Sequence, residues 1–152
     1  MRKNPPLILH GGMPKTGTSS IQSALSSEAW RAPLGAVRVR PVTVPVGKNP
    51  GNCTRHLNAL RRVPVWRGAD LHAAELAYLT ERIRGTLDRL PAGHAVLLSA
   101  EGVGDVAARD ERALRDVRDY LAQFFLGFRV VLYLREPLSY ACSRFQQGLR
   151  AG

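Results

Sequence analysis

The chain reads as an α/β protein, a parallel β-sheet flanked by helices in three layers. Short apolar runs, Leu7-Ile8-Leu9-His10, His94-Ala95-Val96-Leu97-Leu98-Ser99 and Arg129-Val130-Val131-Leu132-Tyr133-Leu134, alternate with longer amphipathic segments. The first two runs are almost continuously apolar, the pattern of strands buried on both faces, and the third is read the same way. The runs end in glycine or charge, at Gly11-Gly12, Glu101-Gly102 and Arg135-Glu136-Pro137. In a sheet of this kind, ligands bind at the carboxyl ends of the strands.

The first run leads into the most informative stretch. Gly11 and Gly12 follow it, Lys15 stands inside the ensuing loop, and Gly17, Thr18, Ser19 and Ser20 lead into a helix over 19–25. That helix puts Ile21, Ala24 and Leu25 on one face. Glycines let a backbone turn tightly and approach a ligand. The open amides and the dipole of a helix start favour an anion. Lys15 adds a positive charge, and Thr16, Thr18, Ser19 and Ser20 add hydroxyl donors. Phosphate or sulfate is the group implied; a Gly/Ser-rich turn with a chance lysine is the plainer alternative. A triphosphate-binding loop of the form G-x-x-x-x-G-K-[ST] is matched only by Gly12 and Gly17, because Thr18 stands where the lysine belongs.

Residues 37–46 alternate like a strand, but Pro41 and Pro45 assign them to an edge or an extended loop. Asn52, after the turn cluster 47–52, is placed to cap a short helix through Arg62. A long helix is expected over 70–90, with Asp70 as N-cap, Leu71, Leu76, Leu79, Ile83 and Leu87 inward, and Pro91-Ala92-Gly93 as its stop. Residues 94–99 form a buried strand, ending at Glu101. A second amphipathic helix over 110–125 turns Leu114, Val117, Leu121, Phe124 and Phe125 inward, and a last helix starts near Leu138.

Two stretches carry a family resemblance. Pro14-Lys15-Thr16-Gly17-Thr18-Ser19 resembles the 5′-phosphosulfate loop of sulfotransferases, P-K-[TS]-G-T-[TS]. Arg135, Pro137, Ser143 and Phe145 fall in order and spacing on the family's 3′-phosphate motif, an arginine at a strand end followed by a serine eight residues on. An arginine there can fork onto a phosphate, and a serine roughly two helical turns later can reach the same anion. Glu136 stands where aspartate is commoner, and Ser139-Tyr140 where cytosolic members often carry an arginine. The chain is most similar to bacterial members, specifically at the two motifs and only architecturally between them.

The resemblance implies a P-loop NTPase-like three-layer sandwich and 3′-phosphoadenosine 5′-phosphosulfate (PAPS) as sulfuryl donor, with no metal. Pro14, Lys15, Thr16, Gly17, Thr18 and Ser19 would hold the 5′-phosphosulfate end, with Lys15 stabilising charge at the bridge. Arg135 and Ser143 would hold the 3′-phosphate. Glu101, which follows the strand preceding the 3′-phosphate strand, is the expected general base, with His10 as second candidate. A strand-end carboxylate paired with an arginine is the plainer reading of Glu101. Sulfotransferases are typically longer, so one domain over 1–152, the nucleotide-binding part of a longer fold, is expected. The readings that compete are a nucleotide-binding module without catalysis and a P-loop kinase or triphosphatase.

Composition sets bounds. With 152 residues, 45% apolar and 22% charged, the chain can bury a core and has the make-up of a globular domain. No run approaches the roughly 20 apolar residues of a membrane span, and no secretory leader is legible, so a cytoplasmic location is expected. Cys53 and Cys142 lie far apart, and the four histidines show no ligand spacing. The net charge is +10, with 19 of 22 basic residues arginine. That field draws in anions such as a bisphosphorylated nucleotide, or merely solvates the surface. No basic run with interleaved aromatics marks a nucleic-acid face. The acceptor, a carbohydrate, lipid or small alcohol hydroxyl, is not legible. Lys48, Arg55, His56 and Trp66 lie where the family places acceptor loops.

Overall fold

The computed structural model describes residues 4–12, 18–44, 52–57, 69–101, 103, 111–134 and 136–151. Four strands, β1 (Pro6–Gly12), β2 (Val39–Pro41), β3 (Ala95–Ser99) and β4 (Gly127–Tyr133), form an all-parallel sheet in the order β2-β3-β1-β4. The helices are α1 (Thr18–Ser26), α2 (Arg31–Ala36), α3 (Thr54–Leu57), α4 (Ala69–Asp88), α5 (Glu111–Ala122) and α6 (Pro137–Ala151), with a 3₁₀ turn at Glu28–Trp30.

The connection from β1 to β2 runs one way along the sheet, and those from β2 to β3 and from β3 to β4 run the other. Right-handed crossovers then place α1 on one face and α4 and α5 on the opposite face. Side-chain contacts agree. Thr80 of α4 is hydrogen-bonded to Tyr120 of α5 at 2.8 Å, while Gln22 of α1 reaches Ser99 from the other side. Alternation along β1 and β3 divides their residues accordingly. Leu7, Leu9, Val96 and Leu98 join Leu79, Ile83, Val117, Leu121, Phe124 and Phe125 in the main core. His10 and Ser99 face α1.

Local chemistry fixes the elements. In α5, Ala113, Val117 and Leu121 recur at four-residue steps and are buried, Glu111 occupies the first turn, and a Glu111–Arg115 pair closes the outer face. Thr54 N–H donates to Asn52 Oδ1 at 2.9 Å, so Asn52 caps α3 as expected. The expected extent to Arg62 lies outside the described residues beyond Leu57. The long helix starts at Ala69, which puts Asp70 inside the first turn and not ahead of it as N-cap. It ends at Asp88, and a turn closed by His94 N–H on Pro91 O, with Gly93 at φ +75°, leads into β3. Arg38 holds an unusual left-handed φ of +55° at the turn into β2, where its carbonyl accepts Ala95 N–H at 2.8 Å.

One expectation is overturned. The run 129–134 is apolar enough for a doubly covered strand, yet β4 is an edge. Phe128, Val130 and Leu132 are 39%, 53% and 47% exposed on one face, and Val131 and Tyr133 are exposed on the other. Phe128, Val130 and Leu132 border an apolar groove against Leu114, Val117 and Leu121 of α5. Composition reports what a strand can tolerate, whereas burial depends on how many neighbours the sheet supplies. No helix among the described residues is long and apolar enough to cross a membrane.

Candidate active site

The strand order creates a crevice. Chain leaving β1 heads for the α1 face and chain leaving β3 heads for the α5 face, so their carboxyl ends diverge between Gly12 and Ala100. Such a divergence is where open α/β sheets bind ligands. Gly11 lies against this point for a packing reason. A Cβ there would meet Leu132 Cδ2 at a tight 3.0 Å and Ala100 O at an ordinary 3.6 Å, so glycine eases the close approach of the β4 side chain.

Lys15, with Pro14, Thr16 and Gly17, lies outside the described residues, as does Arg135. Thr18 and Ser19 are the first two residues of α1, where intrahelical partners for the amides are missing. Glu101 is half-buried, two residues past β3, and makes no ion pair among the described residues. Ser143 is half-buried, seven residues into α6. The sheet register brings the two motif segments to adjacent exits: Gly12 pairs with Tyr133, and Arg135 is the second residue past Tyr133.

His10, expected beside the loop, is an internal group. It is 4% exposed, with Nδ1 at 2.8 Å from Ser99 Oγ and its ring edge-on to Tyr133 at 5.3 Å. Burial holds its imidazole below the usual histidine pKa, hence neutral near pH 7. Gln22, fully buried on α1, donates Nε2–H to the same Ser99 Oγ at 3.2 Å. His10 Nε2 and Gln22 Oε1 are buried and without a hydrogen-bond partner among the described residues. Sequence reasoning missed Ser99 and Gln22. The legible signal was a polar Gln22 beside Ile21 on the face otherwise given to Ala24 and Leu25.

Glu136 is explained by the start of α6. Its two carboxylate oxygens accept Leu138 N–H at 2.8 Å and Ser139 N–H at 2.7 Å, capping the helix. His56, an expected acceptor-loop residue, is 4% exposed and approaches a Glu75 carboxylate oxygen to 2.5 Å, a close contact that ties α3 to α4. Lys48 and Trp66 lie outside the described residues, and the Arg55 side chain is not described.

A hollow of about 890 Å³ lies at the opposite end of the sheet, lined by residues that include Pro5, Pro6, Arg84, Asp88, Pro91 and His94. Strand amino ends are not the ligand-binding end of such a sheet. Among the described residues no cluster of three or more His, Cys, Asp or Glu could hold a metal. No family model matches the chain, and no curated protein or solved structure gives a significant match.

Proposed function

We infer that the chain is a PAPS-dependent sulfotransferase built on a P-loop-like sandwich, acting on an acceptor hydroxyl. One observation carries the reading: Gly12 and Tyr133 are register partners on adjacent parallel strands, so two motif segments more than a hundred residues apart leave the sheet side by side. Either motif alone could arise by accident; that the strands preceding them end side by side at the ligand-binding end of the sheet supports a shared site.

In this reading the 5′-phosphosulfate rests on the residue 14–19 segment and on the open amides of α1. Lys15 would neutralise charge growing on the bridging oxygen. Arg135 and Ser143 would take the 3′-phosphate. The acceptor oxygen attacks sulfur in line as the bond from sulfur to the bridging oxygen breaks. The acceptor proton passes to Glu101, and adenosine 3′,5′-bisphosphate departs. Positioning and charge stabilisation supply most of the acceleration, as in phosphoryl transfer. Glu101, half-buried and just beyond the β1–β3 divergence, stands at the right end of the sheet for the proton.

The test is calorimetric titration with adenosine 3′,5′-bisphosphate, with Mg-ATP and 5′-AMP as comparators. A clear preference for the bisphosphate is expected; equal or absent binding of all three sinks the reading. With PAPS and an acceptor panel, Glu101→Gln should remove turnover while bisphosphate affinity stays within about twofold. Binding without turnover in the wild-type chain would favour the non-catalytic module.

A further inference from the structure

The Gln22 amide, turned with Nε2 toward Ser99, sets the proton arrangement of the buried polar group behind the β1–β3 divergence. A glutamine amide nitrogen can only donate, so Gln22 Nε2–H occupies a lone pair of Ser99 Oγ. The Ser99 hydroxyl then needs an acceptor for its own proton, and the one within reach among the described residues is His10 Nδ1, at 2.8 Å. A neutral imidazole carries a single proton. With Nδ1 accepting, that proton sits on Nε2. The relay Gln22→Ser99→His10 therefore ends in one unspent, buried N–H donor.

Its surroundings select the class of ligand. Nε2 is the ring nitrogen farther from the backbone, so on a side chain standing off the sheet toward α1 it lies out in the layer between sheet and helix. Gln22 is in the second turn of α1, so the group sits close to that helix's start, whose amides are also donors without helical partners. A buried donor left unmade costs about 1–3 kcal/mol, and native structures seldom leave one without a use. His10 Nε2–H and the amides at the helix start are donors that suit an oxyanion, which only accepts, while Gln22 Oε1 is an unpartnered acceptor beside them that a water or a protonated oxygen would satisfy.

We propose that His10 Nε2–H is a neutral hydrogen-bond donor to a phosphate or sulfuryl oxygen bound at the start of α1, held in that tautomer by Ser99 and Gln22. This rests on reading the strand ends as an anion site, and it gives His10 a positioning role in place of proton abstraction. Being neutral, the donor orients an oxygen without adding charge. A water bridging His10 Nε2 and Gln22 Oε1 is the competing occupant.

The experiment is a long-range ¹H–¹⁵N correlation spectrum of the ¹⁵N-labelled chain at pH 7, with His10 assigned by His10→Gln. The chain is titrated with inorganic sulfate and with adenosine 3′,5′-bisphosphate while calorimetry reads binding. Expected are the Nε2–H tautomer in the free protein and a saturable shift of the Nε2 resonance that tracks the calorimetric curve. Ser99→Ala should release the tautomer preference and weaken anion binding about tenfold, the size of one hydrogen bond to a charged group. A proton on Nδ1, or His10 nitrogens unmoved at saturating bisphosphate, overturns the proposal and leaves the sulfotransferase reading standing. A sulfate-dependent shift without bisphosphate binding does the reverse. If neither anion binds, both fall.

Discussion

Gly12 and Tyr133 sit opposite one another at the carboxyl ends of β1 and β4. This pairing ties a loop near the start of the chain to a segment near residue 135, and it fixes what the first substitution test should show. Lys15→Ala and Arg135→Ala should each weaken adenosine 3′,5′-bisphosphate about tenfold to a hundredfold, the range for a lost charge-assisted hydrogen bond. In the proposed site both would contact one ligand, so their combined effect should differ from the sum in free energy. Calorimetry on the two single variants and the double variant checks this; strictly additive or null effects would separate the two segments.

Gly11 is held by its neighbours. Gly11→Ala places a Cβ at 3.0 Å from Leu132 Cδ2, and Leu132 is 47% exposed and free to shift, so the loss of stability should be small, about 1 kcal/mol. Adding Leu132→Ala should recover part of it. Urea melts of the two variants measure both effects.

Glu136 caps α6 through two amides. Glu136→Ala should cost about 1 kcal/mol of stability, or show as fraying of the helix's first turn, and Glu136→Asp should cost less. Hydrogen exchange at Leu138 and Ser139 reads the effect locally; unchanged protection there would refute the cap.

Acid and alkali should act on different groups. Burial lowers the His10 pKa, so the unfolded chain takes up the proton first, and stability present above pH 6.5 is lost as pH falls below it. His10→Gln should flatten that acid limb. Burial pushes Cys53 up to about 12 and raises Tyr120, so both favour their neutral forms when folded. Their contribution is complete below the unfolded values and is lost as pH rises from about 9 toward 12. Cys53→Ala and Tyr120→Phe should each reduce the alkaline slope of a chemical-denaturation series.

Leu79 and Ile83, both fully buried in α4 under the sheet, should cost about 2–5 kcal/mol each when cut to alanine. Val130→Thr, on the exposed edge, should stay within about 0.5 kcal/mol. Comparable losses at the two kinds of position would contradict the edge placement of β4.

Much of this protein is set by local patterning in the chain. Periodicity located the strands and long helices to within a few residues, because a strand or helix needs only its own spacing of apolar side chains to be recognisable. Asn52 as the cap of α3 and Pro91–Gly93 as the stop of α4 follow from equally local chemistry. What tertiary structure decided is everything that depends on neighbours distant in sequence. Pairing of Gly12 with Tyr133 is a fact of strand order. The exposure of β4 reflects the lack of a fifth described strand beside it, which its own apolar run could not reveal. His10, a lone histidine in sequence, joins a buried hydrogen-bonded group only because β3 brings Ser99 to 2.8 Å and α1 brings Gln22 onto the same hydroxyl. A proton's position is set by hydrogen-bond partners, and three of the chain's elements have to pack before those partners exist.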